Sequence, residues 1–151
     1  MPDGQEGEAS SLEARVRKLE DLLAIHELFI AYGRYLDAGD VASYAKLYAE
    51  DGELMLGPMG RAKGRQEIEA MMSRTLSGGT GQSYHLITGP MVALDGDHAT
   101  AEVMWTVLRR GADEEPVVSM TGRHRDELVR TSEGWKFQRR RGYVDIPKSL
   151  K

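Results

Sequence analysis

The stretch "LEARVRKLEDLLAIHELFIAYGRYLDAGD", residues 12–40, decides how the chain is read. Leu12, Val16, Leu19, Leu23, His26 and Ile30 recur at alternating steps of four and three, and Leu22, Ile25 and Phe29 widen the stripe. That period predicts an α-helix packing one face on a core. Ser10 or Ser11 can cap its start, with Glu13 as the acid of its first turn. The helix is expected to end at Ala38-Gly39, because glycine readily takes the left-handed conformation that closes a helix. Asp37 then falls in the last turn, where the helix dipole disfavours an anion. A carboxylate there is either solvated or held by a partner from elsewhere in the chain.

Working outward, Asp40 can cap a short second helix carrying Tyr44, Leu47 and Tyr48. "EDGELML" (50–56) reads as a turn into a strand, and "GPMGRAKG" (57–64) as a loop. "GRQEIEAMMSRTL" (64–76) is a third helix with Ile68, Met71, Met72 and Leu76 on its apolar side, broken by "SGGTG" (77–81). Beyond it the pattern changes to strands: "QSYHLIT", "MVALDG", "HATAEVMWTVLRR", "PVVSMTGRHRDELVR" and "GWKFQRRRGYVDI", with hairpin turns at "LDGDH" and "RTSEGW". Helices first and long meandering strands after them predict an α+β domain, its helices on one face of a curved antiparallel sheet. Residues 1–9 read as a disordered tail, 10–147 as one domain and 148–151 as a C-terminal tail.

Composition narrows the function. With 151 residues, 40% of them apolar, the chain can build one real core. Its net charge of −4 argues against nucleic acid as a partner. Arg139, Arg140 and Arg141 do cluster, but strand alternation sends them to opposite faces. The absence of cysteine excludes disulfides, thiolate metal sites and a cysteine nucleophile, and it fits a cytoplasmic protein. The first ten residues are polar, unlike a secretory signal, and no apolar run is long enough to span a bilayer.

Several motifs fall away. "HRD" at His124–Asp126 lies in an expected strand without a glycine-rich nucleotide loop. "GPMGRAKGR" lacks phosphate-loop spacing. The four histidines stand far apart, so no metal site is expected. Two polar residues remain where a core should be: Asp37 at the helix end, and His85 beside apolar Leu86 and Ile87.

The segments "YGRYLDAGDVASYAKLYAEDGEL", "GRQEIEAMM", "YHLITGP" and "GRHRDELVRTSEGWKFQRRRGYVD" together resemble the SnoaL-like branch of the nuclear transport factor 2-like superfamily, over residues 15–146 or so. The resemblance implies a cone, a strongly bent mixed sheet (a cystatin-like α+β barrel) wrapped around helices, with a deep apolar pocket inside. It is nearest to the members with an Asp–His dyad, which include the bile acid 7α-dehydratases and the hexachlorocyclohexane dehydrochlorinase. Asp37 and His85 inherit the dyad roles, His85 as general base and Asp37 as its orienting carboxylate. No metal and no other cofactor is needed. Tyr32 matches a position where such dehydratases place a polar pocket residue, and Arg140 one where some relatives contact substrate.

Around the dyad, Tyr48, Met104 and Met120 are further candidates for contact with a small hydrophobic or aromatic substrate, since methionine adapts to irregular apolar shapes. Trp105 can join them. Some relatives carry a second acid on the strand "AEVMWTVL"; here Leu108, Thr106 and Glu102 occupy that face, which puts steroid dehydration in doubt. By strict alternation Gln138, Arg140 and Gly142 share a face opposite Trp135, Phe137 and Tyr143. Were those aromatics outward, they would ask for a partner, so a homo-oligomer is expected; the resemblance to the dyad-type members implies a trimer rather than a dimer. The expected function is cofactor-independent lyase-type chemistry: elimination, or a related isomerase, cyclase or aldol reaction. The alternatives are a non-catalytic ligand-binding or assembly module, and an accessory oxygenase subunit, against which the polar dyad speaks.

Overall fold

A computed structural model describes residues 10–76 and 81–147; both expected tails and most of "SGGTG" lie outside them. The first helix, α1 (Leu12–Ala38), starts on Ser11, whose side chain accepts from the Ala14 amide. It ends at Gly39, in the left-handed conformation at φ 69°. Next come α2 (Val41–Ala45), capped by Asp40, and β1 (Tyr48–Met55). The expected loop 57–64 contains a short 3-10 turn (Gly57–Met59) and a three-residue strand, β2 (Arg61–Lys63). α3 (Arg65–Thr75) follows, then β3 (Ser83–Asp95), β4 (His98–Arg110), β5 (Pro116–Thr131) and β6 (Gly134–Ile146). "QSYHLIT" and "MVALDG" are thus one strand, whose register with β4 shifts around Gly89-Pro90.

The sheet order is β2-β1-β6-β5-β4-β3. All neighbours run antiparallel except β1 and β6, which are parallel, so the sheet is mixed and does not close. α1 packs on β3 and β6, and α3 on β1 and β2. Bulges between Thr88 and Met91, at Ser119 and at Gln138 add residues to one strand against its neighbour, which bends it.

The bulge at Gln138 corrects the alternation expected for β6. Leu128 pairs with Phe137 and Glu127 with Arg139, leaving Gln138 without a cross-strand partner. One extra residue resets the phase. Trp135, Phe137 and Arg140 therefore all turn inward and are buried. Of the three aromatics, only Tyr143 faces out, and the guanidinium groups of Arg123 and Arg125 lie over its ring.

α1 brings a second correction. Its core face is Ile25, Phe29, Tyr32 and Leu36, while Leu12, Val16, Leu19, Leu23 and Ile30 are exposed. The four-three stripe is real, but it is not the stripe that covers the sheet.

Candidate functional site

Asp37 and His85 meet. The Asp37 Oδ1 lies 2.6 Å from His85 Nδ1. Both carboxylate oxygens also accept the His85 backbone N–H, at 3.1 and 3.0 Å. β3 is an edge strand, so an amide pointing away from β4 needs a partner from outside the sheet. The last turn of α1 supplies it, and these donors compensate an aspartate at the wrong end of a helix dipole. Both side chains are largely buried.

Gly33, one turn before Asp37, lets the helix come this close. A Cβ there would stand 3.1 Å from Ile87 Cγ1 and 3.7 Å from the His85 Cβ. The seat of the dyad is thus set by a small residue on the helix face that meets β3.

Behind the dyad, alternation lines the inner face. His85 pairs with Val107, Val107 with Met120, Trp105 with Gly122 and Val103 with His124, so these residues share one side. Tyr32 stands between two imidazoles, its ring centroid 6.3 Å from that of His85 and 5.1 Å from that of His124, edge-on to both. Trp105 lies 5.8 Å beyond His124. The Arg140 guanidinium sits 4.4 Å over the Tyr32 ring and 4.0 Å over Phe137. Tyr48 is fully buried, its hydroxyl 2.8 Å from that of Tyr44, whose ring in turn packs on Tyr32. Met104 belongs elsewhere. It points from β4 to the outer face, 57% exposed, one residue out of phase with Trp105.

The electrostatics follow from burial. Arg140 is fully buried and grips Asp126 at two points, Nε to Oδ1 at 2.7 Å and Nη2 to Oδ2 at 2.8 Å. Burial pushes the Asp126 carboxyl up, and the guanidinium pulls it back only in part. Burial also works against the Arg140 charge, but attraction and hydrogen bonding to Asp126 together outweigh it. His124 is held well below the ordinary histidine range, first by burial, then by the Arg140 and His85 charges, and is neutral. Tyr32, Tyr44 and Tyr48 are pushed up by burial and stay phenols. Trp105 Nε1, His124 Nδ1 and Arg140 Nη1 have no hydrogen-bond partner among the described residues.

His124 and Asp126 are the residues that sequence reasoning set aside with "HRD". The signal was available: two residues apart on a strand, they share a face, and β6 places Arg140 opposite Asp126 and Gly142 opposite His124. The second acid of the interior thus comes from β5, whereas Glu102 pairs with Arg125 at the surface. Among the described residues no group of acidic or histidine side chains could hold a metal ion, and no helix is long and apolar enough to cross a membrane.

Two hollows open nearby. One of about 880 Å³ lies on the outer face of the sheet, between Met55, Met91, Arg141 and Tyr143. The other, about 560 Å³, opens at the rim beside Asp37, with Tyr84, Leu108 and Arg109 in its walls. Neither is lined by His85, so neither is the apolar hollow that the resemblance places around the dyad.

Known structures share this architecture. An NTF2-like protein with a cystatin-like fold from Novosphingobium aromaticivorans superposes with a TM-score of 0.81 at 30% identity, over 96% of this chain and 94% of that one. ActVI-ORFA from Streptomyces coelicolor gives 0.72 at 24% identity, over 82% and 96%. A candidate scytalone dehydratase, also from N. aromaticivorans, gives 0.72 at 21% identity, over 84% and 85%. The last two likenesses show the fold alone. No functionally curated protein matches the chain. The family described as the SnoaL-like domain matches residues 17–141, most of the chain and every element from α1 into β6. The chain belongs to the SnoaL-like family.

Proposed function

We propose that the chain is a cofactor-independent enzyme of the lyase or isomerase type, with His85 as general base and Asp37 as the carboxylate that orients it. One observation carries this reading: the 2.6 Å contact between Asp37 Oδ1 and His85 Nδ1. It fixes the neutral ring with its proton on Nδ1, leaving the Nε2 lone pair to accept a proton. Once that proton arrives, the carboxylate stabilises the imidazolium. Such a base contributes roughly 10²–10⁴-fold in rate.

The reaction that suits this equipment is proton removal beside a carbonyl. The C–H bond breaks, its proton goes to Nε2, and its electron pair moves towards the carbonyl oxygen. In an elimination the pair returns to form a C=C bond as the neighbouring C–O bond breaks. The departing hydroxide then takes the proton from Nε2 and leaves as water. Beside His124, Trp105 Nε1 and Arg140 Nη1 are buried donors without a hydrogen-bond partner among the described residues. Such donors favour a substrate with an oxygen acceptor on a hydrophobic or aromatic frame.

Deuterium exchange tests the base without requiring the leaving group. The protein is incubated in D₂O with a panel of small aromatic and polycyclic β-hydroxy ketones, and exchange at the α-carbon and loss of water are followed. Catalysed exchange that His85→Ala and Asp37→Asn both abolish, with the fold intact, is the expected result. A non-catalytic binding module of the same fold would bind panel members, catalyse no exchange, and keep its binding in both variants.

A further inference from the structure

The exposed stripe of α1 is a seam without a partner among the described residues. Every residue from Ser10 to Glu20 is exposed, so no described residue packs over the first two turns of α1. A helical arm this short gains little from propensity and is marginal alone. Yet it carries Leu12, 71% exposed, and Leu19, 66% exposed, in line with Val16, Leu23 and Ile30.

The spacing of this line is a heptad. With Leu12, Leu19 and His26 at d, the a positions are Val16, Leu23 and Ile30. We infer that this seam pairs with the same seam of a second copy of the chain, as a short parallel two-stranded coiled coil.

Three observations select that occupant. First, β-branched residues at two of three a positions, with leucine at two of three d positions, favour two parallel strands over three or four. Second, the flanking charges fit a second copy in register. Arg15 at g faces Glu20 at the following e of the other strand, on both sides of the dyad. An antiparallel pair would instead set Glu13, Glu20 and Glu27, all at e, against one another. Third, the geometry leaves room. Each residue turns the helix by about 100°, so the core face of Ile25, Phe29, Tyr32 and Leu36 points about a third of a turn away from the seam. Two cones joined there lie on opposite sides of the pair. The inference stands apart from the catalytic reading, since no seam residue belongs to the site.

The chain has no cysteine, which makes the test clean. The full chain carrying Leu19→Cys, held under mild oxidant, is expected to form a disulfide-linked dimer. Sedimentation of the unmodified chain across a concentration series should show a reversible dimer. Arg15→Glu and Glu20→Arg should each weaken it at least several-fold, and the double variant R15E/E20R should recover it. Both positions are exposed and outside the core, so the thermal melt of the domain should be unchanged throughout. A monomer at all concentrations would overturn the inference. So would a trimer, or a dimer that is indifferent to both charge variants and gives no Leu19→Cys cross-link.

Discussion

Asp37 holds His85 at two places at once, its ring and its backbone: Oδ1 lies 2.6 Å from Nδ1, and both oxygens accept the amide of the same residue. An asparagine cannot reproduce this, because its amide offers one acceptor and a competing donor. Asp37→Asn is therefore expected to lower turnover by roughly 10²–10⁴-fold, while His85→Ala removes the proposed base itself. Circular dichroism and thermal melts check that the fold survives, and single-turnover kinetics check the chemical step.

Gly33 sets how closely α1 approaches β3. A methyl group there would press on Ile87 at 3.1 Å, and the helix must give by a few tenths of an ångström. Gly33→Ala is expected to lower kcat through a lengthened dyad contact with little change in melting temperature. Gly33→Val should unfold the contact altogether. Kinetics and melts on the pair separate positioning from stability. Equal loss of kcat and stability in Gly33→Ala would argue that the glycine serves packing alone.

His124 gives the fold an acid-sensitive point. Its folded pKa is held well below that of a free imidazole, mainly by burial. Below the unfolded value of about 6.5, the unfolded chain binds the proton and the folded chain does not. This stability is complete above about pH 6.5 and is lost as pH falls towards the folded pKa, by up to about 1.4 kcal/mol per pH unit. Urea titrations from pH 7 to 5 should show that slope flattened in His124→Gln relative to the unmodified chain.

Arg140 and Asp126 form a fully buried pair, and each needs the other. Asp126→Asn, which leaves the guanidinium without its counter-charge, is expected to cost about 3–5 kcal/mol. Replacing both with apolar residues of similar volume should return much of that loss, since a buried ion pair contributes little net stability. Denaturant melts of the single and double variants make the comparison.

Much of this molecule could be read from its residues, and the failures have distinct causes. The ends of α1 were legible because Ser11 and Gly39 are chemically suited to be caps. Asp37 and His85 stood out because each is polar where its neighbours are apolar. The core face of α1 was legible only in part: Ile25 and Phe29 stood in the expected stripe, Tyr32 and Leu36 did not. Periodicity shows that a stripe exists, but the chain carries two, and only the three-dimensional packing shows which one meets the sheet. Arg140 was placed beyond reach of alternation by the Gln138 bulge, which no local turn residue announces. His124 and Asp126 were hidden by treating them as a motif, when each draws its meaning from the residue opposite on a neighbouring strand.

The central claim is a tautomer, and ¹⁵N spectra of the histidine rings measure it directly at a pH where the ring is neutral. The account predicts that His85 carries its proton on Nδ1, leaves Nε2 as the bare nitrogen, and loses this preference in Asp37→Asn. A His85 ring protonated on Nε2, or spectra unchanged by Asp37→Asn, would contradict it.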